Sequence, residues 1–354
     1  MRTARDATDT DQPTTSSESD PASGRLLHIG LLRFVGPDAQ SFLQGQVSND
    51  TRRLGQGRPL LAAYSTAQGR TVAVLHLLPH SSGVIALLPR EILLPTVERL
   101  RKFVLRAKVK IEDVSEQYGV VGLHGPQALR AAGIRIADES SGNDASSGND
   151  ASSGYVEQHG IGVGRVSPHQ NRYWVIGPAA HLAEHGLTGG GLGEGPGGRL
   201  DPERIERDWR LADIRTGLPQ VYAATSELFV AQMLNLDLID GISFTKGCFT
   251  GQEIIARTQH LGRIKRRMFR LRLPPGAWAI GQALRLTDGR AGRLTELVPH
   301  GEEFEALAVL NIDAGVADAE VTASAAVAAG GGAAASGAVA AVELPLPYRL
   351  SQPA

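Results

Sequence analysis

Several features are scarce in this chain of 354 residues, and the scarcest residue type is cysteine, of which Cys248 is the single example. One cysteine excludes an intrachain disulfide framework, and it excludes zinc or iron–sulfur sites built from several cysteines of one chain. A reducing compartment is then the default, so we expect a cytoplasmic protein. An excess of one charge is also missing, because 36 Lys and Arg balance 37 Asp and Glu. This balance argues against a protein that coats nucleic acid.

Long hydrophobic runs are absent as well. The apolar run from Val72 to Pro79 is too short to span a bilayer, so we expect no membrane association. The first 24 residues carry several acids and no apolar segment, which predicts a disordered tail over 1–24 and neither a signal nor a transit peptide. Three further stretches are low in complexity and predict inserted loops, at 140–154, 189–198 and 323–341.

The remaining sequence has enough apolar residues, 42%, for a substantial core. Strand-like and helix-like segments are mixed without strict alternation, which favours an α+β fold. We predict a first α+β subdomain over 25–116 and a second over 117–267 that holds the first two insertions. Short strands at regular spacing then predict a small barrel or sandwich over 268–350, with a loop at 323–341.

The most informative segment surrounds Cys248. Thr250 and Glu253 have the spacing of a capping box, which predicts a helix that begins at Gly251. The helix N-terminus and the nearby Lys246 would favour the thiolate of Cys248. Glu253 and Arg257 lie one turn apart on that helix. The alternative is that Cys248 is a small structural residue beside a well-capped helix.

These residues carry a resemblance. Lys246-Gly247-Cys248-Phe249-Thr250-Gly251-Gln252-Glu253 resembles the K-G-C-[FY]-x-G-Q-E signature of the YgfZ folate-binding family, whose members are similar to the glycine-cleavage T-protein. Four other segments extend the resemblance over about 26–350: Phe42–Val47, Trp209–Pro219, Gly262–Arg266 and Pro345–Leu350.

The resemblance implies a T-protein-like ring of two related α+β subdomains plus a C-terminal antiparallel β-barrel. It implies that the protein binds a tetrahydrofolate and supports the assembly or maintenance of iron–sulfur enzymes, and so affects tRNA modification indirectly. Carried over by position, Cys248 is the functional thiol, and it is a possible ligand of a cluster shared with another protein. The implied folate-binding residues are Trp209, Lys246, Gly247, Gly251, Gln252, Glu253 and Arg257.

Two of these assignments have an open question. Trp209 lies in the stripe Ile205, Trp209, Ala212, so it is either a pocket residue that stacks on a pterin or ordinary core. A second pocket tryptophan of the family is missing, and Ile29 stands in its place.

The sequence leaves two alternative functions. A folate-dependent aminomethyl or one-carbon transferase needs the acid of the T-protein G-G-x-x-D-D segment, but the corresponding Ala67–Ala73 has no carboxylate. We therefore expect that the transferase activity is lost. A direct RNA-binding module would use two basic runs, one within Gly262–Arg272 and one from Arg99 to Lys110. No aromatic-rich motif accompanies them, so we expect folate and iron–sulfur client or assembly proteins as partners of a monomer, without direct tRNA contact.

Overall fold

The computed structural model describes residues 22–131, 154–167, 170–187, 201–260, 262–313 and 338–350. Most of the predicted tail and of the three predicted insertions therefore lies outside the described residues. The prediction of a disordered tail is wrong for residues 22–24, because Ala22 N–H donates to Asp208 and Gly24 pairs with Gly122. The predicted loop 323–341 is wrong at its end, where Val339 is buried and bonded to the last sheet.

The first sheet is antiparallel and contains five strands in the order β3-β4-β5-β2-β6. Its strands are β2 (Ile29–Val35), β3 (Leu60–Ser65), β4 (Thr71–His80), β5 (Gly83–Pro89) and β6 (Lys110–Asp113). Helices α1 (Ala39–Gln44) and α2 (Leu93–Arg101) accompany it. β4 reads as an almost continuous apolar run because it is covered on both faces.

The second sheet has the order β1-β7-β10-β9-β8. Its strands are β1 (Gly24–Arg25), β7 (Tyr118–His124), β8 (Tyr155–Gln158), β9 (Ile161–Arg165) and β10 (Arg172–Pro178). Helices α3 (Gly125–Ala131), α4 (Ala179–Glu184) and α5 (Pro202–Thr216) go with it. Asp201 caps α5 by accepting from Glu203 N–H, and Gly217 ends the helix at a φ of 64°.

The third sheet follows helix α6 (Gln252–His260) and has the order β12-β13-β14-β11-β15. Its strands are β11 (Arg266–Leu273), β12 (Ala283–Arg285), β13 (Ala291–His300), β14 (Glu303–Asn311) and β15 (Val342–Leu344). The predicted closed barrel is not confirmed. The two edge strands form no ladder with each other, and near their ends one isolated bridge joins Leu286 to Val339.

The three sheets are joined by shared packing. Residues between 221 and 255, assigned above to the second subdomain, complete the core of the first sheet, and Thr71 exchanges backbone hydrogen bonds with Glu227 and Phe229. Arg210 and Arg215 on α5 form ion pairs with Glu296 and Glu305 of the third sheet. The mixed α+β class is confirmed, whereas the relation between the two subdomains and their ring arrangement stay predictions.

Candidate functional site

The segment that carries Cys248 is docked on a loop of the first subdomain. Ser243 N–H donates to the Ser48 carbonyl over 2.9 Å, and Thr250 N–H donates to the Gly45 carbonyl over 3.1 Å. In the other direction, Ser48 Oγ donates to the carbonyl of Gly241 over 2.6 Å. We call residues 240–251 the Cys248 loop and residues 44–50 the platform loop. Two motifs far apart in sequence, Phe42–Val47 and Lys246–Glu253, are therefore neighbours in space.

Lys246 is the strongest link between these two loops. Its buried Nζ donates to the carbonyls of Gln44, Val47 and Asn49 over 2.7, 2.6 and 2.9 Å, and it lies 4.9 Å from the ring centre of Phe249. Burial lowers the pKa of Lys246 to about 8. The ammonium group of Lys246 thus faces backbone carbonyls in the interior, whereas its position in the sequence predicted that it would lie beside the Cys248 thiol.

Helix α6 begins one residue later than predicted, at Gln252. Gly251 has a φ of +83°, so it is not the first helical residue, and a Cβ there would lie 2.5 Å from the carbonyl oxygen of Thr66. The predicted capping box is therefore wrong. The Thr250 hydroxyl donates to the Gly45 carbonyl, and Gln252 Oε1 accepts from Phe249 N–H over 3.1 Å.

The Cys248 loop and α6 present the other predicted residues to solvent. Gly247, Cys248, Glu253 and Arg257 are all exposed, and the thiol is free. A Cβ added at Gly247 would meet nothing within 4 Å, so the approach to the thiol is open on that side. Glu253 and Arg257, within the described part of the chain, do not form an ion pair. The arrangement offers a free thiol on a loop whose backbone is fixed from below.

The segment that we matched to the T-protein acid segment forms the turn between β3 and β4 and the start of β4. Gly69 in this turn packs against Ile254 and Gly251. The nearest acids in sequence are engaged elsewhere: Asp50 pairs with Arg52, which holds the pKa of that carboxyl at about 2, and Glu91 accepts from Ala223 N–H.

Trp209 lies apart from the Cys248 loop, in a buried cluster between α5 and the first two sheets. Its ring centre is 4.6 Å from that of Trp174 and 5.3 Å from that of His124, and the Arg172 guanidinium lies 4.7 Å over it. Gly122 lies against its six-membered ring, where a side chain would collide. The faces of Trp209 are therefore covered by the chain itself, which disfavours stacking of a pterin on this ring and leaves its Nε1 edge as the part that a ligand could contact.

The same cluster extends to His76 and Gln220. The His76 ring centre is 5.3 Å from that of Trp174, and His76 Nε2 lies 3.4 Å from Gln220 Nε2. Burial lowers the pKa of His76 to about 3 and that of His124 to about 4, so both rings are neutral at pH 7. We name this set the buried aromatic cluster: His76, His124, Arg172, Trp174, Trp209 and Gln220.

Several polar atoms of this cluster lack a hydrogen-bond partner among the described residues. They are the indole Nε1 atoms of Trp174 and Trp209, His124 Nε2 and Gln220 Oε1. Arg172, in contrast, is satisfied by Asp213 at 2.6 Å, by the Trp209 carbonyl and by Gln170. A buried polar atom without a partner costs about 1–3 kcal/mol, so four such atoms in one cluster indicate a place for a polar ligand or water.

Sequence reasoning found one member of this cluster, Trp209, and missed the rest. Trp174 lies in β10, and no motif in the sequence singles it out. Ile29, which the resemblance places at the position of a second family tryptophan, packs in the same hydrophobic group as Trp174 and Trp209. Phe249 and Ile255 belong instead to the core of the first sheet. The residues named together as one folate-binding set thus form two separate groups.

The first basic run is largely neutralised. Arg267 is buried against Asp237 at 2.6 Å, Arg270 pairs with Glu305 at 2.6 Å, and Arg263 pairs with Asp313 at 3.2 Å. These pairs leave this run little net charge to offer to RNA phosphates.

The described residues contain no group of three or more His, Cys, Asp or Glu side chains arranged to hold a metal ion. Within the same ranges, no helix has the length and apolar character needed to cross a membrane.

The architecture places the chain among proteins with the T-protein fold. The crystal structure of the glycine cleavage system aminomethyltransferase T from Bartonella henselae matches with a TM-score of 0.58, covering 82% of this chain and 79% of that chain at 15% identity. At this level of identity the match shows the fold alone.

Similarity in sequence shows the family to which the chain belongs. The tRNA-modifying protein YgfZ of Colwellia psychrerythraea is 33% identical over 245 residues, which is 69% of either chain. The proteins of that name from Edwardsiella ictaluri and Shigella sonnei are 30% and 29% identical, over 74% and 81% of this chain and 74% and 83% of their own lengths. No protein-family model matches. The chain belongs to the YgfZ family.

Proposed function

We propose that this chain binds a tetrahydrofolate at the buried aromatic cluster and uses the exposed Cys248 as an accessory factor for iron–sulfur enzymes. The observation that carries the folate proposal is the set of unpartnered polar atoms at Trp174, Trp209, His124 and Gln220. The effect on tRNA modification, the property named for the relatives, is then indirect, through an iron–sulfur enzyme that modifies tRNA.

The chemistry of the cluster suits a folate. A pterin is a flat heteroaromatic ring with both donors and acceptors on its edge, and a site that recognises it needs the same in return. The two indole N–H groups supply donors and Gln220 Oε1 supplies an acceptor, while the neutral rings of His76 and His124 avoid burying charge. Arg172 is held by Asp213 and is thereby fixed over Trp209.

The role of the thiol is supported by its position. Cys248 is an exposed thiol on a loop that three carbonyl contacts of Lys246 and several backbone bonds hold in place. One thiolate cannot hold an iron–sulfur cluster alone, so Cys248 would share a cluster with a partner, carry sulfur or undergo redox chemistry. The cluster itself would be cargo or part of the client.

Calorimetric titration with tetrahydrofolate under anaerobic conditions tests the folate proposal. We expect saturable binding by the wild type and affinities at least fivefold weaker for Trp209→Phe and Trp174→Phe, because each change removes one indole N–H and keeps an aromatic ring. Trp278→Phe is the matched control, because Trp278 Nε1 already donates to the Pro274 carbonyl over 2.9 Å. Absence of binding, or equal weakening in all three variants, would refute the assignment.

The thiol is tested separately in cells that lack the gene. We expect Cys248→Ser to fail to restore iron–sulfur enzyme activity while it binds tetrahydrofolate like the wild type. Full complementation by Cys248→Ser would remove Cys248 from the function and leave the folate proposal untouched.

A further inference from the structure

The loop between α2 and β6 exposes apolar side chains that the chain does not cover. Phe103 is 43% exposed, and Leu105 is 89% exposed at the tip of this loop. Leu105 also has a φ of +28°, a backbone conformation that is uncommon for a leucine. A large apolar side chain held in solvent at a strained position is a feature that folding alone does not require.

The loop is anchored, so this exposure is not the result of a loose segment. Val104 and Ala107 pack against the core of the first sheet. Lys108 N–H donates to Asp38 Oδ2 over 2.7 Å, and Gly36 lies so close to the Lys108 carbonyl that a side chain there would collide. Val104 and Ala107 point inward and fix the loop, so Phe103 and Leu105 are held outward in a defined position.

The charged residues of the loop itself are all of one sign. Residues 99–110 contain six of the 36 basic residues and no acid. Arg99 pairs with Glu227, Lys110 pairs with Glu112, and Arg101 donates to the Ile111 carbonyl. Lys102, Arg106 and Lys108 are exposed, and none of their side chains forms an ion pair within the described ranges.

We propose that residues 102–108 form a docking surface for an acidic partner protein that receives Leu105 and Phe103 in an apolar pocket rimmed by carboxylates. Exposed apolar side chains supply the contact area, and the three free cations supply charge complementarity and orientation. This inference does not depend on folate binding.

A discrete protein surface fits better than a membrane or a nucleic acid. Glu98 on α2 is exposed one helical turn before Lys102, and Asp38 lies against the loop backbone. A continuous anionic surface would meet these carboxylates as well as the cations, whereas a protein places its own carboxylates individually. Three free cations are also few for stable binding to anionic lipid.

Site-specific photocrosslinking in cells tests this proposal and identifies what covers the loop. A benzophenone amino acid replaces Leu105 in the full-length protein, and the same probe at Leu94, which is 60% exposed on α2, is the matched control. The adducts are analysed by mass spectrometry for protein, lipid and RNA.

We expect one protein adduct at position 105 that is absent at position 94 and whose crosslinked peptide lies in an acid-rich segment. The combined variant Lys102→Glu, Arg106→Glu, Lys108→Glu should reduce this adduct at least tenfold. The purified partner should bind the unlabelled wild type at least tenfold more tightly than Leu105→Ser. Lipid or RNA adducts, adducts equal to those at position 94, or adducts unaffected by charge reversal would overturn the proposal.

Discussion

Replacing Lys246 by methionine should loosen the Cys248 loop from the platform loop. The change keeps the length and apolar stem of the side chain but leaves the carbonyls of Gln44, Val47 and Asn49 without their donor. An unpaired buried backbone carbonyl costs about 1–3 kcal/mol. The variant no longer buries an ammonium group, and this gain offsets part of the cost of the three unpaired carbonyls. We therefore expect the free energy of unfolding to fall by about 3 kcal/mol, roughly a hundredfold in the folding equilibrium.

The same residue gives a pH dependence whose sign is fixed. The pKa of Lys246 is about 8 in the folded chain and 10.5 in the unfolded chain, so the unfolded chain binds more protons between these values. The contribution of Lys246 to the free energy of unfolding should thus rise with pH from 8 to 10.5, and Lys246→Met should lack this rise.

Urea unfolding at several pH values measures both effects, and Lys265→Met is the matched control because Lys265 is an exposed lysine. Hydrogen exchange at residues 45–50 should accelerate in Lys246→Met alone. Equal unfolding midpoints for the two variants, with no change in exchange, would refute the view that Lys246 fixes the Cys248 loop.

Three further predictions follow from the same structure. Gly251→Ala should lower the free energy of unfolding by about 2–4 kcal/mol, because alanine is strained at φ +83° and collides with the Thr66 carbonyl. Thermal unfolding measures this loss, and the control Gly247→Ala should change the free energy of unfolding by less than about 0.5 kcal/mol. Equal losses in the two variants would contradict the reasoning. Glu296→Gln should cost about 3 kcal/mol, since it removes the nearer and buried of the two carboxylates that pair with Arg210 and weakens the Tyr222 contact. Glu303→Gln, at an exposed ion pair, should cost about 0–1 kcal/mol by urea unfolding. The pKa values of His76 and His124 are about 3 and about 4 in the folded chain, against 6.5 in the unfolded chain. The free energy of unfolding should therefore fall by about 3 kcal/mol for each histidine as pH falls from 6.5 to 4. His124→Asn should flatten this dependence of stability on pH, and an unchanged dependence would show that His124 titrates normally.

Local signals predicted the start of α6 to within one residue and failed where contacts between distant segments decide the structure. The capping box at Thr250 failed because the Cys248 loop packs against Thr66 and Gly45, which selects a left-handed Gly251. The Gly-interrupted strand β9 carried too weak a pattern to be predicted.

The candidate site was predicted in part for the same reason. The signature residues were found through the family resemblance, yet Lys246 turned out to hold the loop from beneath. His76 comes from a strand of the first sheet, Trp174 from a strand of the second sheet and Gln220 from the segment after α5, so only the fold brings them to Trp209. No spacing in the sequence links them.

The central claim is that the buried indole N–H groups bind a folate, and indole nitrogen resonances test it most directly. The chain has three tryptophans, so protein labelled with ¹⁵N-tryptophan gives three indole N–H signals, which the single Trp→Phe variants assign. On addition of tetrahydrofolate, the signals of Trp174 and Trp209 should shift as their N–H groups gain acceptors, while that of Trp278 stays in place. If no signal moves at saturating ligand, or if Trp278 alone moves, the folate does not bind at this cluster.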